Sequence, residues 1–312
     1  MAKLAVSDAV GAGFKLIGQR PVSVFVWGLF TIVFGVLPAL GMIGPMMGPI
    51  MDVAQQARLH PDSPPSPEVF RNSYMHMMFM NPLVQLLSMA VKTMVAAAVF
   101  RAVLEPKRRA FAYLRISMQE VWILLVKIVE AIVIGVGAFG AVLVGGLVIA
   151  AVGHFASHMA AGIVAVVLVI MGVIALFWVL LRLSLATPMS FDESNFRLFE
   201  SWKLTRGHAF NLLLVAILLV IILLLLEGVI FAVVGVPMMM FAGPHMAGHM
   251  GDHTAVHEAM LTFLKQPPQV ILQTVGPVAI VCGLIGSMLI GAVSAIVYAP
   301  WAAAYRMLRP EA

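Results

Sequence analysis

The sequence predicts an all-α polytopic membrane protein, a single domain over residues 1–312 with six transmembrane helices, on three observations. The chain is 62% hydrophobic and only 11% charged, whereas soluble domains are roughly a quarter charged. Six apolar runs are each long enough, at about 1.5 Å of rise per residue, to cross a hydrocarbon core about 30 Å thick. Lysine and arginine gather on one side of those runs. The net charge of +5 therefore points to anionic headgroups and membrane orientation and away from nucleic acid. The one cysteine, Cys282, lies in an apolar run, which rules out a disulfide framework and a Cys-rich metal site.

The chain opens on an amphipathic segment, residues 5–20, with Val10, Phe14 and Ile17 on one face and Ser7 as its N-cap. It reads as an interfacial helix and carries no short h-region with a small-residue cleavage site, so no removed leader is expected. The first span covers about 22–44. A connection with Pro61, Pro64, Pro65 and Pro67 follows, where continuous helix is not expected, and it ends in YMHMMFMNP.

The second span, about 83–103, holds Lys92 near its middle. After it, KRRAFAYLRISMQE places Phe111, Leu114, Met118 and Val121 on one helical face and forms a second basic foot. Spans three and four, about 121–150 and 160–183, are joined by a tight turn containing His154 and His158. Ser190 and Glu193 have capping-box spacing and lead into a third foot, FRLFESWKLTRGHAF, ahead of span five, about 209–236. The last span is about 270–296.

Both termini then fall on one side. That side collects 14 of the 19 basic residues, Arg58, Arg71 and Lys265 lie opposite, and Lys92 and Lys127 lie within spans. Both termini are therefore expected in the cytoplasm. Phe14-Lys15-Leu16, Leu114-Arg115-Ile116 and Trp202-Lys203-Leu204 sit alike before spans one, three and five, and Pro106, Pro188 and Pro300 close spans two, four and six. Three two-helix hairpin repeats would explain both regularities; so would the general preference of cytoplasmic ends for such residues.

FRLFESWKLTRGHAFNLLLVAIL, AVFRAVLEPKRRAFAYLRISMQEVW and SAIVYAPWAAAYRML resemble the membrane domain associated with bacterial glycerophosphodiester phosphodiesterases, and the related six-span inner-membrane proteins. The resemblance covers most of the chain in layout and few positions in identity. It implies a lipid-associated or membrane-organising role. In that family the phosphodiesterase chemistry belongs to a separate soluble barrel domain, which nothing in these 312 residues resembles, so no catalytic residue carries over.

The residues themselves point the same way. No nucleophile elbow, phosphate-binding loop, zincin motif or dinucleotide fingerprint is present, and the chain is not expected to be an enzyme. Ala279, Gly283, Ser287, Gly291 and Ala295 draw a small-residue stripe along span six, and Gly137, Ala141 and Gly145 another on span three. Such stripes let helices approach closely, within the chain or in a homo-oligomer.

Lys92 and Glu130 both fall near the midplane and are expected to pair, as a structural bridge or as part of a proton or solute path. Lys127 is expected to snorkel towards the cytoplasm. The basic feet offer Lys15, Arg20, Lys107, Arg108, Arg109, Arg115, Arg197, Lys203 and Arg206 to lipid headgroups.

An outer segment, PMMMFAGPHMAGHMGDHTAVHEAM, spaces His245, His249, His253 and His257 by four, beside Met246 and Met250. Imidazole with thioether and no thiolate suits copper or another transition metal. An amphipathic loop on the outer leaflet, or a pH-responsive one, accounts for the same residues. Three classes follow: a lipid-associated scaffold, a transporter or metal-handling protein, and, least favoured, an intramembrane enzyme.

Overall fold

A computed structural model describes residues 4–38, 67–107, 111–232 and 268–309. The molecule is an all-α, multi-pass membrane protein, with no strand among the described residues. Five helices are long and apolar enough to cross a membrane, or six if the bent pair Val6–Gln19 and Pro21–Val36 is one span.

Helix α1 (Val6–Gln19) is the first foot, and it turns through 96° into α2 (Pro21–Thr31), which runs on as a π-helical turn, Ile32–Val36. Pro21 at the first helical position allows that sharp restart, because its missing N–H needs no partner there. Helix α1 is amphipathic as its pattern predicts, but its apolar face packs on protein. Ala9, Val10, Gly13 and Leu16 are buried, whereas Phe14 is 49% exposed. At 100° per residue Phe14 falls at the margin of the stripe centred on Gly13 and Ile17, which explains the correction.

Helix α3 (Pro67–Leu104) starts a full 16 residues before the expected span. Pro67 sits at its first position and Pro82 inside it, so the segment YMHMMFMNP is helical and not part of a loop. Helices α4 (Met118–Phe155) and α5 (His158–Leu183) form an antiparallel hairpin, closed by Ser157, whose Oγ accepts from the Ala160 N–H at 3.1 Å. Short helices α6 (Ala186–Asp192) and α7 (Glu200–Leu204) lead to α8 (Ala209–Ile230), and α9 (Pro268–Leu308) closes the described chain.

Three further expectations are corrected at this level. The second foot is not a helix: a 3₁₀ turn at Phe111–Tyr113 has Ala112 and Tyr113 at φ of 48° and 60°, and regular helix begins only at Met118. The capping box belongs to Ser117 and Glu120, not to Ser190 and Glu193. Ser190 lies within α6, and its Oγ accepts from the Arg197 N–H at 3.0 Å. Of the three prolines expected to close spans, Pro106 follows α3, but Pro188 and Pro300 lie inside helices.

The bundle is tied together where first meets last. Helix α9 packs against both α1 and α2 along its small-residue stripe. A methyl group at Gly28 would stand 1.7 Å from the Ser287 carbonyl oxygen, and one at Gly291 1.9 Å from that of Val24. Only glycine lets the two backbones approach so closely. This stripe therefore serves packing within the chain. On α4, Gly137 meets nothing within 4 Å.

The feet and helix ends gather into one basic rim. Its core joins α1, the end of α5, α6, α8 and α9 through Val10, Leu181, Met189, Leu212, Ile296 and Tyr305. A second cluster sets Trp27, Val95, Val99, Tyr113 and Ala299 together.

Candidate functional site

A cavity of about 480 Å³ opens between α3, α4 and α9. Lys92 and Thr93 reach it from α3, Lys127 and Glu130 from α4, and Tyr298 from α9, against apolar walls such as Ile123 and Ile134. Helix geometry sets its depth. Lys92 is twelve residues before the end of α3 and Glu130 twelve after the start of α4, so both lie about 18 Å from the basic rim. Lys127 and Tyr298 lie at about 13–15 Å. With the rim taken as one face of a membrane about 30 Å thick, these charged groups fall near half-depth, where each is costly unless paired or wet.

The two residues expected to pair share this cavity, but not an ion pair. Glu130 Oε2 is 2.7 Å from Lys127 Nζ, three residues earlier on the same helix. The reason is proximity: side chains three apart on a helix already face each other, without help from a neighbouring helix. Lys127, expected to snorkel, pairs with Glu130 while 42% of its side chain stays exposed. Lys92 is exposed into the cavity with no carboxylate partner among the described residues. The walls hold two ammonium groups against one carboxylate, an excess of one positive charge.

Beneath the cavity lies a buried network that sequence reasoning missed. Arg101, 1% exposed, ion-pairs with Glu120. It also donates to the Tyr113 carbonyl at 2.6 Å and to Gln119 Oε1 at 3.2 Å, with its guanidinium 5.4 Å from the Phe191 ring centre. Glu120 Oε2 completes the capping box, accepting from the Ser117 N–H at 2.8 Å and from its hydroxyl at 2.5 Å. The left-handed turn of Ala112 and Tyr113 aims consecutive carbonyls at two anchors, since the Trp27 indole donates to the Ala112 carbonyl at 2.7 Å. The legible signal was S-x-x-E, residues 117–120, placed 16 residues after an arginine in an apolar run.

The feet divide into cations that are used and cations that are free. Arg197 binds Glu193 at 2.7 Å and Glu200 at 3.1 Å, so its charge is balanced within the third foot. Those carboxylates hold its guanidinium above the ordinary arginine value. Glu200 is pushed below the usual carboxylate value, chiefly by the backbone N–H at the start of α7 and then by Arg197. Arg20 lies 5.8 Å from the Tyr113 ring centre. Lys15, Lys107, Arg115, Lys203 and Arg206 are exposed, with no ion pair among the described residues. The three related tripeptides differ in the same terms. Leu16 is buried and Leu204 half-buried beside exposed lysines, but Ile116 in the non-helical second foot is 84% exposed.

Arg108 and Arg109, the four spaced histidines His245, His249, His253 and His257, and Met246 and Met250 lie outside the described residues. Among the described residues no group of three or more His, Cys, Asp or Glu side chains is placed to hold a metal. No protein-family model, no curated protein and no solved structure matches the chain.

Proposed function

We propose that the chain is a non-enzymatic, lipid-associated protein of a bacterial inner membrane, with both termini in the cytoplasm and the cavity receiving the anionic end of an amphiphile. One observation carries the reading: the Lys92 ammonium faces a largely apolar, intramembrane space with no carboxylate of its own. A cation without a counter-ion among apolar walls favours an anion, and a ligand with one negative group and a hydrocarbon body meets both the charge and the walls. The Lys127–Glu130 pair fixes the opposite wall and leaves Lys92 as the single unmatched charge. The exposed cations of the rim add a second hold on anionic headgroups, and the resemblance of the feet to lipid-linked membrane domains points the same way.

The test is lipid binding to the detergent-purified full chain, read by native mass spectrometry and by melting temperature, with phosphatidylglycerol set against phosphatidylcholine. Wild type is expected to bind the anionic lipid saturably. Lys92→Met, which keeps the length of the side chain, is expected to weaken binding about tenfold, on the scale of about 1.5 kcal/mol for a hydrogen bond to a charged group. Equal binding of the anionic lipid by wild type and Lys92→Met would remove the cavity from the account.

A further inference from the structure

We propose that Arg182 and two indole rings form a phosphate-ester site on the basic rim, separate from the cavity. Arg182 is the next-to-last residue of α5. Its guanidinium carbon lies 4.6 Å from the ring centre of Trp178, one turn earlier, and 5.6 Å from that of Trp202 on α7. The third foot holds this arrangement. Ser201 Oγ donates to the Arg182 carbonyl at 2.8 Å, and Arg182 Nη1 donates to Thr205 Oγ1 at 3.5 Å.

What the group lacks is an anion. Of the other rim arginines with a buried or half-buried guanidinium, Arg101 has Glu120 and Arg197 has Glu193 and Glu200, whereas Arg20, like Arg182, lies over an aromatic ring. Arg182 has no carboxylate partner among the described residues, and its Nε is sealed from solvent without a hydrogen bond. A hydroxyl at 3.5 Å neutralises no charge. Lys203 and Arg206, on the same short segment, are exposed and add positive charge.

The surroundings identify the missing anion. Trp178 and Trp202 are 45% and 43% exposed, and paired indoles near a helix end sit at headgroup level in a membrane protein. A guanidinium beside aromatic faces keeps its in-plane N–H groups for an incoming oxyanion; with Nε sealed, the terminal pair Nη1 and Nη2 forms the fork that matches phosphate. The chemistry is thus a phosphate oxyanion, supplied by an anionic phospholipid headgroup or by free phosphate. The site deepens the lipid-associated reading but uses none of the cavity residues, so Lys92→Met and Arg182→Gln fail or succeed separately.

The experiment titrates the full detergent-purified chain with short-chain phosphatidylglycerol, short-chain phosphatidylcholine and inorganic phosphate, read by tryptophan fluorescence and native mass spectrometry. Saturable binding of phosphatidylglycerol is expected, weakened about fivefold in Arg182→Gln, the loss that goes with one arginine at a charged membrane surface. Arg182→Lys keeps the charge without the planar fork and is expected to recover only part. A response to inorganic phosphate that is equally sensitive to Arg182→Gln supports the same site with free phosphate as its ligand. Phosphatidylglycerol binding that is unchanged in Arg182→Gln overturns the proposal. Melting temperature is followed throughout, and Trp202→Leu, at an exposed position, supplies the same comparison if Arg182→Gln proves too unstable to purify.

Discussion

Arg101 shows how differently one residue reads in the sequence and in the fold. In the sequence it is one of 14 cations on the expected cytoplasmic side; in the fold it is the most deeply buried charge of the rim, tied to Glu120, Tyr113 and Gln119. Removing one partner of a buried pair strands the other. Glu120→Gln is therefore expected to destabilise by about 3–5 kcal/mol. The pair Arg101→Met with Glu120→Gln is expected to cost less than the two single changes added, since neither charge is then left alone. Thermal unfolding in detergent checks both, and strict additivity would mean that the ion pair contributes nothing of its own. Side-chain pairing was the least legible layer of the sequence. Lys92 and Glu130 do line one cavity, but a shared level does not choose between a partner on the next helix and one three residues away. Lys127 wins because the helix itself holds it in reach.

Helices were more legible than the segments between them. The apolar periodicity of α1 and the long runs of α4, α5 and α8 mark elements that the structure contains. The second foot defeated the pattern because Ala112 and Tyr113 take left-handed backbone, which no local residue preference announces. Tertiary bonds from Trp27 and Arg101 hold that turn. The small-residue stripe of α9 was legible as a packing surface, though its partner was not: the first span fills it, and the glycines are fitted to that helix. Gly28→Ala and Gly291→Ala force a methyl group into backbone atoms less than 2 Å away. Each is expected to cost about 1–3 kcal/mol or more by overpacking. Gly137→Ala, with open space around it, is expected to be neutral or mildly stabilising, because alanine restricts the unfolded chain. Melting temperatures of the three variants decide this, and a loss at Gly137 equal to that at Gly28 would contradict the packing argument.

At the scale of the whole molecule the hairpin of α4 and α5 stands apart. Beyond Glu130 its side chains are mostly exposed, Val136, Val142, Leu147, Ile163, Val166 and Ile174 among them. In water such a surface would be a large liability; against hydrocarbon it is the ordinary lateral face of a spanning helix. Beyond the Lys127–Glu130 pair, the polar side chains of the hairpin gather at its ends. Ser157 caps the tip, while Ser117 and Glu120 cap the base beside the rim that bears Arg101, Arg182 and Arg197. A membrane-spanning hairpin must put its tip and its base in different aqueous compartments, and the proposed orientation has the base in the cytoplasm. The sole cysteine, Cys282, can be replaced by alanine to give a background without thiols. On that background Ser157→Cys is expected to react with a membrane-impermeant maleimide in intact cells, and Ser194→Cys, exposed beyond the end of α6, only after permeabilisation. The reverse pattern would invert the orientation and move the phosphate-ester site to the outer leaflet. Reaction of both from one side would mean that the hairpin does not cross the membrane, and the cavity at half-depth would lose its lipid setting with it.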